Sequence, residues 1–567
     1  MAAVAGCNHE ETGASGLDRF SDHYSKLLDG TYDCVDRIIL NGYFRLGCSP
    51  GGFRLWWRNL FGSDEKLNNS ALQRMSGRFS RRLRAYAELH EIPVVLCKSG
   101  DDKRKHLIAD EYRPSDHDFV GLFLVIIGRA PGFVWDVRCG QDGTIQNIER
   151  SKSQSWVNHF SFHIMDPDWG HITLKICGQP PFAAQIMLNG HEYVARQAGK
   201  AGVAFSKEGN CFTSTSSGAE LEKIAGTLRS KNAVGQLTRL CDRWIYSTCL
   251  FFALTPEEQQ RSGFRYDYSV YQIEYSRNLL FHRGTDLEHV VQSVIDRTRS
   301  SLDITKVKTL FGYKRRPKFR RGRNGNRFEV VVEGPVYDLT VFKLNFGKLT
   351  LKVYTKGERV LRIEAVVHNI EALRCPRSLP AFPQIVNLLK GMLGRFLEVL
   401  ACVDISSITC DTWDHLRQPS LVGKSGVPGV DIGRPRVQSV IQAVIALAPQ
   451  PQGFKIDELA AKVRELAHLS ENSYSTSNAA YDLRKLRGKG FVDKVPKSRR
   501  YLATSVGLQA MAALLVITDK VIRPVLSGAG KPCRGKAPRH QSVVDTHYQK
   551  LQMEIRALFQ TLGVAVA

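Results

Sequence analysis

The densest group of chemistry-capable side chains lies in WVNHFSFHIMDPDWGHITLKI, residues 156–176. If His159–His163 is extended, His159, Ser161 and His163 share one face, with Phe160 and Phe162 on the other. Asp166-Pro167-Asp168 reads as a turn, and His171 opens the next strand. Downstream, LNGHEYVARQA adds His191 and Glu192 just inside a predicted helix. Imidazoles and carboxylates around one hairpin suit a divalent metal and phosphodiester chemistry. The expected metal ligands are His159, His163, Asp168 and His171, holding Mg²⁺ or Mn²⁺ before Zn²⁺. The expected catalytic set is His163, Asp166, Asp168, His171 and Glu192. The spacing matches no standard ligand motif, and HEYVA lacks the second histidine of a zincin. Histidines that merely pack on a sheet are the competing expectation.

A second chemical candidate is SGFRYDYSVYQIEYSRNLLF, with Tyr266, Tyr268, Tyr271 and Tyr275. A tyrosine there could attack a phosphodiester, with Arg265 or Arg277 offsetting phosphate charge; amphipathic packing is the plainer account. No Walker A, GxSxG or GxGxxG pattern occurs, so no nucleotide cofactor, ATPase or serine-hydrolase chemistry is supported.

The partner class is more legible than the reaction. Lys and Arg number 79 against 55 Asp and Glu, a net charge of +24, which favours a polyanion such as DNA or RNA. The basic residues cluster. KRRPKFRRGRNGNR, residues 314–327, contains Arg315, Arg316, Arg320 and Arg321 with no acid. In SALQRMSGRFSRRLRAYAE, Leu72, Met75, Phe79, Leu83 and Tyr86 form an apolar helical stripe, and Arg81 and Arg82 lie mainly off it. Just before it, Phe53, Trp56, Trp57 and Phe61 alternate with Arg54 and Arg58, a pattern that suits base stacking or a core aromatic cluster. Thirteen cysteines with no CxxC indicate a reducing compartment. The longest apolar run, Phe119–Ile127, is too short to span a bilayer, so a cytoplasmic, nucleoid-accessible protein without membrane contact is expected.

The elements that must position these groups give an α+β, multidomain chain. Residues 1–110 read as a helical N-terminal region and 111–310 as a central mixed domain. Residues 311–417 hold the basic insertion and an antiparallel meander, in which TKGE links two strands. The Pro/Gly/Ser-rich loop 418–435 marks a boundary, 430–526 forms a C-terminal unit, and 527–567 is a linker with a last amphipathic helix.

The C-terminal unit parses as helix, helix, helix, hairpin. Its segment AAYDLRKLRGKGFVDKVPKSRRYLAT resembles the recognition helix and wing of the winged-helix fold. That resemblance implies major-groove reading by Ser477, Asn478, Tyr481, Arg484, Lys485 and Arg487. It also implies backbone contact from a wing bearing Lys494, Lys497, Arg499 and Arg500. Residues 475–502 carry eight basic and two acidic residues. The phrases SPGGFR, NHFSFHIMDPDWGH, LNGHEYVA and YTKGERVLRIE resemble those of a family of long prokaryotic proteins, which implies no activity of its own. Locally, LKVYTKGERVLRIEAVVHN is similar to a segment of phage and plasmid replication initiator proteins, where such a strand pair belongs to the nicking or DNA-binding domain. The positions concerned are Tyr354, Lys356, Arg362 and Glu364; without a His-apolar-His motif the nicking chemistry does not carry over. The expectation is therefore a DNA-processing protein of replication initiation or mobile elements, with metal-dependent nuclease or strand-transfer chemistry. The alternatives are a non-enzymatic transcriptional regulator or architectural protein, or an RNA-binding protein.

Overall fold

Alternation of apolar and polar residues builds one large mixed sheet. The computed structural model describes residues 18–97, 105–116, 118–132, 134–151, 155–301, 327–329, 340–346, 348–404 and 410–518, with scattered positions in 522–557. The chain divides into two units: 27–284 with 331–390, and 1–26 with 285–330 and 391–567.

The first unit carries β1 (Leu28–Phe44), β2 (Val94–Cys97), β3 (Gly121–Gly132), β4 (Ser155–Asp166), β5 (Gly170–Cys177) and β6 (Ala184–Asn189). It continues with β7 (Tyr266–Phe281), β8 (Thr340–Phe346), β9 (Leu349–Lys356) and β10 (Val360–Val367). They lie in the order β8–β9–β10–β7–β1–β6–β5–β4–β3–β2. Neighbours are antiparallel except β2 and β3, which run parallel. The expected meander is present as β8–β9–β10, and β10 continues onto β7.

Two expectations are corrected here. The N-terminal region is helical over much of its described length, but it is not helical alone: β1, 17 residues long, pairs with β6 and β7 inside the sheet. Residues 1–110, 111–310 and 311–417 are not three separate domains either, because β1, β7 and β10 from those regions are hydrogen-bonded neighbours.

Helices α1 (Pro50–Phe61) and α2 (Asn69–Leu89) do form as the periodicity requires. Ser49 caps α1 by accepting from the Gly52 N–H, and Asn68 caps α2 by accepting from that of Ala71. The α2 stripe buries Leu72, Met75, Phe79 and Leu83, with the Phe79 ring 4.8 Å from that of Phe160 on β4. Phe53, Trp56 and Trp57 are buried, so they are core residues and offer no platform for bases. Arg54 and Arg58 both bind Asp64. Arg81 is exposed and Arg82 half-buried. A third helix, α3 (Gly190–Lys200), follows β6 directly.

The second unit contains α4 (Pro435–Leu447), α5 (Ile456–Ala467), α6 (Thr476–Gly488) and α7 (Ser505–Ile517), with a small antiparallel pair, β11 (Val492–Lys494) and β12 (Tyr501–Ala503). Val440, Ile441, Leu459, Val463, Leu483, Leu486, Phe491 and Leu514 share one core. Gly507 lets the start of α7 approach the strand, since a Cβ there would fall 2.3 Å from the Phe491 carbonyl oxygen. Loop 418–435 does not separate units. Val427, Val430 and Ile432 are buried in this same core, and residues 420–427 pair as a hairpin. Arg315, Arg316, Arg320 and Arg321, and the linker at 527–542, lie outside the described residues; the last helix is described only at scattered positions. No helix among the described residues is long and apolar enough to cross a membrane.

Candidate functional site

The hairpin of β4 and β5 forms where the histidine spacing placed it, but it does not assemble the expected metal set. His163 pairs with Thr173 and Met165 with His171, which puts His163 and His171 on one sheet face. Their Nδ1 and Nε2 atoms lie 3.0 Å apart, and the His171 ring packs 5.3 Å from Phe123. Burial, reinforced by the Arg113 cation, pushes His171 down to about 4. His159, one turn of the pleat further along, faces a different cleft, beside Lys175 and Cys177.

The carboxylates are committed elsewhere. Asp166 is buried on the opposite face, where Oδ2 accepts from Trp244 Nε1 at 2.7 Å and pairs with Arg243 at 3.0 Å. Its Oδ1 accepts from the backbone N–H groups of Asp168 and Trp169, which is the turn that Asp-Pro-Asp encodes. Asp168 is half exposed and bound to Lys200 at 2.8 Å. Glu192 binds Lys207 at 2.5 Å. Of His159, His163, Asp168 and His171, then, only His163 and His171 meet. The reason is parity: Asp166 sits one position out of phase with the histidines, and Asp168 lies beyond the strand end.

A polar centre does exist, and it lies deeper in the sheet. Asp36 on β1, buried, pairs with the Arg362 guanidinium of β10 and accepts from Ser276 Oγ of β7 at 2.9 Å. Its Oδ1 lies 3.1 Å from Nδ1 of His191, at the start of α3. Nε2 of His191 in turn stands 3.4 Å from the Tyr32 hydroxyl, which accepts from the Phe212 N–H at 3.1 Å. The approach of α3 depends on Gly190, where a Cβ would fall 1.7 Å from the Val35 carbonyl oxygen. Burial alone would raise the Asp36 carboxyl; Arg362 and then His191 outweigh it and hold it at about 2. Burial lowers His191, only partly opposed by Asp36. Cys34 and Tyr32 are both raised well above their ordinary values, chiefly by burial.

Cys34, Asp36 and His191 place their ligand atoms within 4.8 Å of one another, a buried cluster that could hold a metal ion. Spacing alone did not reveal it, because Cys34 and Asp36 are separated from His191 by some 150 residues of chain. Tyr354, Arg362 and Glu364, the initiator-like positions, belong to this interior: Tyr354 Oη donates to Glu364 at 3.3 Å, and Arg362 also donates to the Asn210 carbonyl oxygen at 2.6 Å. The tyrosine-rich strand is likewise structural. Tyr266 donates to the Phe182 carbonyl, Tyr268 to Asp242 and Tyr275 to Asp33, while Arg277 pairs with Asp33.

In the C-terminal unit the expected contact residues fall on the surface of α6 and on the β11–β12 turn. Ser477 and Tyr481 are exposed, and Asn478, Arg484, Lys485 and Arg487 are half-buried. Lys485 Nζ sits 4.7 Å over the Tyr481 ring, and Arg487 lies 5.8 Å over that of Tyr501. Lys494, Lys497 and Arg499 are exposed, and Lys497 holds the turn with φ +53°. Arg500 instead points inward and donates to the Gly453 carbonyl oxygen at 2.5 Å, so it ties the hairpin to the unit. Asp482, the single carboxylate of α6, is buried; it accepts from Arg436 at 2.8 Å and from the Tyr474 hydroxyl at 3.0 Å. No family model, curated protein or solved structure matches this chain.

Proposed function

We propose that the chain is a nucleic-acid-binding protein, and that residues 430–526 act as a winged helix reading duplex DNA. One observation carries the reading. Helix α6 turns its single carboxylate, Asp482, into the core while leaving Tyr481, Arg484 and Lys485 toward solvent, next to a hairpin whose turn bears Lys497 and Arg499. A helix with that face suits the major groove, and exposed lysine and arginine on a hairpin suit adjacent phosphates. Helices α4 to α7 and the β11–β12 pair share one core, which supports α6 as a rigid element, as the reading requires. The net charge of +24 favours the same class of partner. A role in DNA processing, in replication or in mobile-element biology belongs to this proposal. Its cleavage chemistry finds no support at the β4–β5 hairpin, where the metal set is dispersed and both aspartates are ion-paired.

The test uses the full chain and a duplex selected from a random pool. Replacing Arg484 and Arg487 with Ala should weaken binding to the selected site by about 1–3 kcal/mol for each base edge no longer read, and flatten sequence preference. Replacing Lys497 and Arg499 should weaken all duplexes alike and reduce the salt slope by about one unit for each phosphate released. Duplex affinity indifferent to all four changes would refute the assignment.

A further inference from the structure

The sheet of the first unit is covered on one face by helices, yet part of its other face is open. On the covered side Ala184, Ile186, Leu174 and Ile176 are buried. The alternate residues, Asn41 on β1, Gln185 on β6 and Lys175 on β5, stand in one cross-strand row on the open side. Gln185 Nε2 donates to Asn41 Oδ1 at 3.0 Å, which leaves the other amide groups of the pair facing the opening. Central strands that alternate strictly in this way present a solvated polar face.

This row floors a cleft of about 950 Å³, walled by Arg150 on one side and by residues 376–378 on the other. The wall is fixed to the sheet: the Val270 N–H donates to the Arg377 carbonyl oxygen at 2.8 Å. Tyr43 and Ser378 also line a second cleft of about 700 Å³, which therefore adjoins the first around the end of β1 and β7. The second is lined by Arg45, Arg265, Tyr246 and Tyr268, along with Asp242 and Asp267. The whole channel has five lysines or arginines against two carboxylates, and one of those carboxylates accepts from Tyr268 Oη at 2.8 Å.

We propose that this channel binds single-stranded nucleic acid, as a second contact surface separate from α6. Three features converge on that ligand. Cations are distributed along an elongated course rather than gathered at one point, which fits a repeating phosphate backbone better than one small anion. Tyr43 lines both clefts, so one ring is available where a base would stack. The amides of Asn41 and Gln185 both donate and accept, and base edges demand both. The proposal extends the nucleic-acid reading but uses none of its residues.

The test measures binding of labelled, mixed-sequence DNA and RNA single strands of about 15 nucleotides to the full chain. Arg150→Glu with Arg265→Glu changes two exposed side chains, one from each cleft. It should weaken single-strand binding by about tenfold or more and leave the selected duplex within about twofold. Tyr43→Ala should weaken single strands by about fivefold or more by removing a stacking ring. An unchanged melting temperature keeps either loss from being ascribed to misfolding, and Tyr43→Phe should restore binding. The proposal is overturned if wild-type protein binds neither strand, or if the reversals leave single strands unaffected. It is overturned equally if they weaken duplex and single strand alike, or if Arg484→Ala with Arg487→Ala alone abolishes single-strand binding. Conversely, duplex binding that ignores Arg484 and Arg487 while single strands respond to the channel would remove the winged-helix reading and leave this one standing.

Discussion

Removing either member of the Asp36–Arg362 pair should destabilise the sheet-bearing unit far more than removing both. Each side chain is 2 % exposed, so solvent screens neither. Arg362→Met leaves a buried carboxylate and Asp36→Asn a buried guanidinium, each worth a loss of about 3–5 kcal/mol. The double variant buries no net charge and should lose much less than the sum, so a coupling of about 3 kcal/mol is expected. Acid titration gives an independent arm. Asp36 is held at about 2 against an ordinary 3.8, a difference worth roughly 2–3 kcal/mol. Because the folded value is depressed, that stabilisation is complete above pH ~4 and is lost as the pH falls toward 2. The assay is urea unfolding followed by tryptophan emission, which reports this unit because six of the seven tryptophans (Trp56, Trp57, Trp135, Trp156, Trp169 and Trp244) lie in it. A coupling below about 1 kcal/mol, or an acid limb unchanged in Asp36→Asn, would refute the claim that these charges hold each other in the interior.

Three further outcomes follow from the same geometry. His171, pushed down to about 4 by burial, binds its proton more weakly folded than unfolded, so stability should fall as pH drops from 6.5 toward 4. Discounted for partial exposure, that limb is about 1–2 kcal/mol, and urea midpoints of His171→Asn should show it missing. Deleting residues 314–327 should make the slope of log K against log salt shallower by roughly one unit per phosphate no longer neutralised; an unchanged slope in a salt titration would assign the segment to solvent. Because the Arg362 guanidinium already neutralises Asp36, excess Zn²⁺ should not raise the melting temperature; stoichiometric zinc lost on Cys34→Ser would reverse that expectation.

How much was legible differs by element, for physical reasons. Helix α2 was readable because its apolar stripe repeats every 3.6 residues, and the meander because its strands alternate and turn through TKGE. β1 was missed because Asp33, Asp36 and Arg37 interrupt its apolar run. Those aspartates are tolerable in a central strand only because Arg277 and Arg362 arrive from strands more than 200 residues away, which no local pattern reports. The β4–β5 histidines were placed on the right face, but chemistry needs convergence, and one residue of phase sent Asp166 to the other side. The loop 418–435 read as a linker from its prolines and glycines, whereas Val427, Val430 and Ile432, three of its five aliphatic residues, anchor it to the core. In α6 the helical period was enough to place Tyr481, Arg484 and Lys485 away from the buried Ala479, Leu483 and Leu486.

The basic surface and the buried network are two sides of one charge distribution. Several carboxylates spend their charge internally: Asp33 on Arg277, Asp36 on Arg362, Asp166 on Arg243 and Asp482 on Arg436. A pair closed in this way contributes almost no field outside the molecule, because its charges cancel over a few ångströms. The surplus of +24 is therefore left to cations without such partners, and it is there that a polyanion would feel it. The same accounting explains why α6 keeps a basic face although its sequence contains an acid. With Asp482 turned inward against Arg436 and Tyr474, the outward face presents Arg484 and Lys485 with no carboxylate of its own helix beside them. A substitution that released Asp482 to the surface would weaken the potential of that face without touching any residue proposed to meet DNA.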